Sequence, residues 1–331
     1  MKLILAPMAA ITHSGFRELI NTFGEPDEYF TEMIHAPSAL SGGGFEKWYF
    51  RTNPSPEKLV WQITSPKIEE AALVCPLLLK HGGIGIDLNM GCSAPQIVST
   101  GAGFAWMKKP LEETALFVRT VKKAILKHQK LENTPQKNIR LSVKLRLGEK
   151  EDYSFLLKFC KMLLNEGTEL ITLHPRTNKQ KYSRACSHEY TARLAGDLPI
   201  PVYGNGDIDC FDKIKSLDLK YKCAGWMLGR AAVQKPWIFY EIKLKEKRLC
   251  NFSVDLLKTA ESFFDLLNKE QPKEFHLTRA QRFFGFYCNN FTFSHHIKTK
   301  ILNCRNLDQM YSNLEQYFKE VPEDKELIIT N

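Results

Sequence analysis

The chain has 331 residues, 44% of them hydrophobic and 25% charged, which is the make-up of an ordinary soluble globular protein. It holds no run of about 18 apolar residues, which excludes a transmembrane helix, and its apolar start is too short for a signal peptide and is broken by Pro7. Nine Cys without a C-x-x-C pair speak against a zinc site and a disulfide framework and for a reducing cytoplasm, while a net charge of +9 leaves a polyanionic partner and a plain basic surface equally open.

Short apolar runs bounded by Gly, Pro, Asn or Ser predict eight strands, over residues 3–6, 28–31, 58–62, 85–88, 140–144, 170–174, 200–203 and 225–228. Amphipathic segments lie between them. Residues 66–81 carry a stripe of Ile68, Ala71, Ala72, Cys75 and Leu79. Residues 111–129 carry Leu116, Val118, Val121, Ala124 and Ile125, and residues 154–166 carry Leu156, Leu157, Cys160, Leu163 and Leu164. Strand–helix alternation of this kind predicts an α/β fold, a (β/α)8 TIM barrel. A doubly wound sheet is the alternative, disfavoured because no G-x-G-x-x-G opens a helix after the first strand. Beyond about residue 241 the strand signal stops. Residues 256–268, 279–291 and 306–319 read as helices of a small C-terminal bundle, and the charged run 243–248 as a linker or a helix end.

An active site on such a barrel forms at the C-terminal ends of its strands. In order, those ends carry Pro7-Met8, Gln62, Asn89 with Cys92, Lys144 with Arg146, His174 with Arg176, Gly204-Asn205-Gly206-Asp207, and Gly229-Arg230. Each alone reads as a solvated strand end; their coincidence on one rim is the argument. A lone Cys more often packs than reacts, but Cys92 follows an apolar strand in a polar, Gly-broken turn. The loops after the last two strands commonly make a phosphate site. Gly204 and Gly206 bare the backbone there, and Gly229-Arg230 adds a guanidinium at a helix start, although paired glycine turns explain both equally well. Asp207 would repel a phosphate and is expected to orient its loop or cap a helix. Lys144 suits a ligand that accumulates negative charge, Gln62 offers a donor and an acceptor to a ring edge, and Pro7-Met8 offers an apolar platform. A phosphate at one side and a flat ring over the mouth fit FMN.

These motifs resemble the tRNA-dihydrouridine synthases. The likeness runs in order through Leu5-Ala6-Pro7-Met8-Ala9-Ala10-Ile11-Thr12, Thr31-Glu32-Met33-Ile34, Asp87-Leu88-Asn89-Met90-Gly91-Cys92, Val143-Lys144-Leu145-Arg146-Leu147-Gly148, Leu173-His174-Pro175-Arg176-Thr177, Gly204-Asn205-Gly206-Asp207-Ile208 and Met227-Leu228-Gly229-Arg230. It implies a flavin barrel over residues 1–240 that reduces the uracil C5–C6 double bond in tRNA, with FMN bound and NADPH as electron donor. Pro7, Met8, Gln62, Lys144, His174, Asn205, Gly206, Asp207, Gly229 and Arg230 then contact FMN. Cys92 is the proton donor, and Asn89 and Arg176 meet the uracil. The chain departs from the pattern at Ser93, where Pro is usual, and at Gln96, where a basic residue is common. It departs again at Ala10 for Gly, at His13 for Asp, and at Ile63-Thr64-Ser65, which lacks the usual Gly after Gln62.

Residues 241–331 resemble the family's helical RNA-binding domain only loosely. Their charge is concentrated: between Lys273 and Arg305 stand six Lys or Arg against one acid, Glu274. Lys298, Lys300 and Arg305 are the expected contacts to tRNA phosphates. Phe283, Phe284, Phe286, Tyr287, Phe291 and Phe293 interleave with the charges, most as helix core and one or two as stacking surfaces. The whole of residues 241–331 nonetheless carries only +1, and residues 1–240 carry +8. A metal-free monomer without membrane contact is expected. The rival readings are an FMN barrel acting on a free pyrimidine or enone, and a non-catalytic RNA-binding protein.

Overall fold

The computed structural model describes residues 1–131, 138–180 and 184–331. The strands of its main sheet are β1 (Lys2–Leu5), β2 (Glu28–Phe30), β3 (Ile34–His35), β4 (Leu59–Thr64), β5 (Gly85–Asn89), β6 (Arg140–Arg146), β7 (Leu170–His174), β8 (Val202–Asn205) and β9 (Gly225–Leu228). All pair in parallel. Because β2 pairs with β1 on one side and β4 on the other, the sheet closes. β3 is the second strand resumed after a kink at residues 31–33 and rides on the upper end of β4. The eight expected strands are thus all present, and the fold is the (β/α)8 barrel.

Side chains of one parity along each strand point into the barrel. Ile4, Ala6, Phe30, Val60, Leu170, Tyr203 and Met227 fill its interior as one apolar cluster. The floor is polar but closed. Glu28, 2% exposed, accepts from Arg140 at 3.0 and 2.6 Å, from Tyr203 Oη at 2.9 Å and from Lys2 at 3.1 Å. Burial opposes its charge, yet the Arg140 guanidinium outweighs that and holds the carboxyl below its ordinary range. The opposite parity faces the surrounding helices. Helix Ile68–Leu79 buries Ala71, Cys75 and Leu79 as the stripe predicts. Helix Leu111–Leu131 corrects its stripe at Leu116, which is 48% exposed while Phe117 is buried.

The C-terminal region is richer than three helices. Helix Ile238–Glu246 ends inside the charged run, so that run is a helix end. Helices Leu256–Glu270, Lys273–Tyr287, Ser294–Leu302 and Leu307–Glu320 follow. A ribbon of β10 (Asn251–Asp255) and β11 (Glu326–Thr330) joins the two ends of the region. The ribbon is weakly marked because it buries chiefly Val254 and Ile329, leaving little alternation to read. The aromatics sort as expected: Phe283, Phe284, Tyr287 and Phe291 are buried, Phe286 is half-buried, and Phe293 is 56% exposed. No helix of the described residues is long and apolar enough to cross a membrane.

Candidate active site

The barrel mouth is built on four adjacent strands whose register sets its floor. Gln62 pairs with Asp87, Asp87 with Ser142, and Asn89 with Lys144, while Arg146 pairs with His174. Inward parity therefore stacks Ser142, Asp87, Gln62 and Asn89 into one hydrogen-bonded chain. Ser142 Oγ donates to Asp87 Oδ1 at 2.7 Å, and Gln62 Nε2 donates to Asp87 Oδ2 at 2.8 Å. Asn89 Nδ2 donates to Gln62 Oε1 at 2.9 Å, and Asn89 Oδ1 accepts the amides of Cys92 at 2.9 Å and Gly91 at 3.2 Å. A buried carboxylate that accepts only thus fixes the orientation of two amides, and the second amide holds the turn that carries the thiol. Asp87 is fully buried, and burial pushes its carboxyl up to about 6 against the pull of Gln62 and Ser142.

Cys92 is half-buried on this turn, unlike Cys75, Cys160, Cys250, Cys288 and Cys304, which are in the core. Besides the Asn89 cap, its carbonyl accepts the Phe104 amide at 2.9 Å, and Arg146 Nε donates to the Gly91 carbonyl at 2.9 Å. The turn is therefore held without a Pro at position 93, and Pro95 instead starts the helix Pro95–Val98.

Lys144 is half-buried. Burial and then the Arg146 guanidinium push its ammonium down to about 8, against the favourable pull of Asp87. Its ammonium makes no hydrogen bond or ion pair among the described residues. Beside it, burial followed by Lys144, Arg146 and Arg176 drives His174 far below its ordinary value, so the imidazole is neutral. Arg176 Nη1 lies 3.1 Å from His174 Nε2, which makes Nε2 the acceptor and leaves the proton on Nδ1. Thr172 Oγ1, fully buried on the same inner face, has no partner among the described residues.

The far corner is set by Asp207. Its Oδ2 accepts from Arg176 Nη2 at 2.6 Å and from the Cys186 amide at 2.8 Å, and its Oδ1 accepts from Arg230 Nη2 at 3.3 Å. Burial raises its carboxyl, but the Cys186 amide and Arg176 outweigh that and keep it ionised. Asp207 thus orients loops, as its charge required. Gly206 has φ +110, and a Cβ there would fall 2.4 Å from Cys186 Sγ, so only glycine fits. Gly204 serves differently from expectation: it lies in β8 and makes room for the Trp226 ring. Asn205 Nδ2 donates to the Met227 carbonyl at 2.8 Å, tying β8 to β9. Gly229, next along, lies against Met8 and Ala6 at the end of β1, which brings both ends of the mouth round to the same place.

The expected contacts therefore converge with different freedoms. Lys144, Arg230, Pro7 and Met8 offer exposed or half-exposed surface. Gln62, Asn89 and Arg176 are engaged inward, Arg176 being 2% exposed and donating also to the Arg184 carbonyl at 2.6 Å. Sequence reasoning missed Asp87 as the base of the turn and Cys186 as a second thiol at the mouth. The signal for Asp87 was an acid between the apolar residues Ile86 and Leu88, at the parity of Asn89. Away from the mouth, Lys300 and Arg305 are exposed, whereas Lys298 is half-buried and donates to Asn289 Oδ1 at 2.6 Å. Its neighbour Asn290 donates to the Gln234 carbonyl at 2.6 Å, on the short helix that begins with Arg230.

The mouth thus offers a flat anionic ligand a cation without an ion-pair partner among the described residues, a neutral imidazole beside it and, at the far corner, an arginine pair against a single carboxylate. Among the described residues no three His, Cys, Asp or Glu side chains converge as metal ligands would.

Comparison with known proteins agrees in one direction. The sequence profile of the dihydrouridine synthase family (Dus) matches residues 4–322. A probable tRNA-dihydrouridine synthase of Aquifex aeolicus is 32% identical over 246 residues, covering 74% of this chain and 73% of the relative. A tRNA-dihydrouridine(16) synthase of Neisseria meningitidis is 24% identical over 331 residues, covering 97% and 96%. Among solved structures, a 2-naphthoyl-CoA reductase complex superposes with a TM-score of 0.55 at 9% identity, over 75% of this chain and 50% of that one, and shares the fold.

Proposed function

The chain belongs to the dihydrouridine synthase family, and from that premise we propose that it reduces uridines of tRNA to 5,6-dihydrouridine at the barrel mouth, with FMN as its flavin and NADPH as electron donor. The observation that carries this reading is the half-buried Lys144 ammonium, without an acid partner among the described residues, between the Cys92 turn and a neutral His174. Residues 1–240 form the catalytic barrel and residues 241–331 the RNA-holding region. The protein works in the cytoplasm, in keeping with nine unpaired cysteines, and as a monomer.

When bound, the flavin supplies the hydride for uracil C6. Cys92 Sγ holds the proton that completes the addition at C5, and each turnover consumes one NADPH and one proton per uridine. Asn89 keeps Sγ in place through the Cys92 amide, and Asp87 and Gln62 keep Asn89 from turning over. Lys144 and His174 line the ring edge, Pro7 and Met8 the platform. Asn205, Gly206, Gly229 and Arg230 line the phosphate corner, where Asp207 orders the loops. Arg176, engaged by Asp207 and the Arg184 carbonyl, orders that same corner. Leaving the stack costs a uridine a few kcal/mol, which pocket contacts offset, and Lys298, Lys300 and Arg305 hold the RNA body.

Cys92→Ala tests the reading. General acids contribute about 10²–10⁴-fold, so the variant should lose dihydrouridine formation by that order while binding FMN as before. Full turnover by the variant removes Cys92 from the chemistry. Reduction of free uracil without RNA would move the reading to a small-molecule reductase, and a protein that takes up no flavin would move it to an RNA-binding protein.

A further inference from the structure

The turn that carries Met8 is held from outside the barrel. Ala10 sits at φ +60, a left-handed conformation that a β-carbon disfavours and that persists only where the surroundings impose it. Its amide donates to Glu32 Oε1 at 2.6 Å, and Glu32 Oε2 accepts from Arg279 Nη1 at 2.8 Å. Both charged side chains are sealed from water, at 6% and 3% exposure. Arg279 belongs to helix Lys273–Tyr287 of the C-terminal region, and its guanidinium packs over the Phe275 ring at 5.1 Å. Within the turn, the Met8 amide donates to Thr12 Oγ1 and the Thr12 amide to the Met8 carbonyl, both at 3.0 Å. Ala10 is thus the strained member of a loop closed on Met8. Among the described residues its amide is held by Glu32, and through Glu32 by Arg279, while the end of the loop is held separately by Arg17 Nη1, which donates to the Thr12 carbonyl at 2.8 Å. The helix that follows is pinned to the same region, since a Cβ on Gly15 would fall 2.8 Å from the Leu266 carbonyl oxygen.

We propose that Arg279 is a positioning residue: through Glu32 and the Ala10 amide it locks the Met8 turn in its ring-accepting shape, so that docking of the C-terminal helices tunes the affinity of the barrel mouth for its flavin. The inference rests on the flavin reading above. Without the Arg279 guanidinium, the buried Glu32 carboxylate loses its ion-pair partner and keeps only the weaker field of Arg17, so it shifts toward Arg17 or toward water. Either change loosens its grip on the Ala10 amide. A lysine at 279 restores one charged donor, which is all that the Arg279–Glu32 contact uses. A glycine at position 10 removes the reason for the hold, because glycine accepts φ +60 unaided.

The experiment compares the wild type with Arg279→Met, Arg279→Lys and Arg279→Met combined with Ala10→Gly. It reads FMN affinity by flavin fluorescence, amide hydrogen exchange at residues 8–12 of the apoprotein, and the thermal midpoint. Arg279→Met should weaken FMN binding by about tenfold or more, the worth of one charge-assisted contact, and should speed exchange in the turn. Arg279→Lys should stay near wild type in both. The double variant should regain most of the FMN affinity while its thermal midpoint stays low, a split that general destabilisation does not produce. Unchanged exchange at 8–12 together with unchanged FMN affinity in Arg279→Met overturns the proposal, whatever happens to the midpoint. So does a double variant that regains no affinity. If Arg279→Met does not fold, Arg279→Gln, which keeps a neutral donor, is read in the same three ways. A wild type that binds no FMN sinks the flavin reading instead, and the exchange data still decide whether Arg279 holds the turn.

Discussion

Replacing Lys144 by Met separates what the lysine costs the fold from what it gives the ligand. Met keeps most of the volume and removes the charge. In the folded protein, burial and then Arg146 hold the ammonium at about 8, against 10.5 for an unperturbed lysine. A base whose folded value lies below its unfolded value weakens the fold wherever both states are protonated, which here means below about pH 8. That penalty is relieved as the pH climbs from about 8 to about 10.5, where the unfolded chain holds the proton and the folded one has lost it. At about 1.4 kcal/mol per pH unit the penalty is about 3 kcal/mol. Water at the half-exposed side chain screens part of it, leaving on the order of 1–2 kcal/mol. The Lys144→Met apoprotein should therefore be more stable than wild type by that amount at pH 7, with a thermal midpoint roughly 2–5 °C higher. The gain should vanish near pH 10. FMN binding should move the other way, since losing a charge-assisted contact costs about 1.5–3 kcal/mol, or roughly tenfold to 150-fold in affinity. Urea unfolding of the apoprotein from pH 7 to pH 10 and a flavin titration at pH 7 test both halves. A variant less stable than wild type at pH 7, or one that binds FMN equally well, refutes the reasoning.

Two further substitutions probe the rest of the site. Asp87→Asn keeps an acceptor for Gln62 and offers a donor to Ser142, so the Cys92 turn should survive. Because burial raises the Asp87 carboxyl to about 6, its charge weakens the fold above about pH 6 and ceases to do so as the pH falls toward its ordinary 3.8. The Asn variant should thus match or exceed wild-type stability at pH 7 and converge with it near pH 4, and a constant difference across that range would contradict the buried charge. The same change deprives Lys144 of an anionic neighbour, so alkaline loss of FMN affinity should begin at lower pH than in wild type. On the RNA side, neutralising Lys298, Lys300 and Arg305 together should weaken tRNA binding and flatten its dependence on salt. An unchanged slope in a filter-binding salt series would place the RNA on the barrel, which carries +8 of the charge.

The amino-acid order alone determined the eight strands, the closure into a barrel and the rim on which Cys92, Lys144 and His174 stand. These follow from local patterns: apolar runs of strand length, turn residues between them, and a side-chain period of two that puts polar ends on one edge. The order of residues could not decide which rim groups remain available to a ligand. Gln62, Asn89 and Arg176 read as contacts because their chemistry suits a ring or a base, yet each is drawn inward by a partner on another strand or loop, Asp87, the Cys92 amide and Asp207. Only packing set Lys144 apart as the cation left without one among the described residues. Glu32 and Ala10 stood in the motifs without a role, because the residue that gives them one, Arg279, lies 247 positions further on. Hydrogen bonds and buried charges are satisfied by nearness in space, and nearness across such a separation exists only once the C-terminal helices have docked.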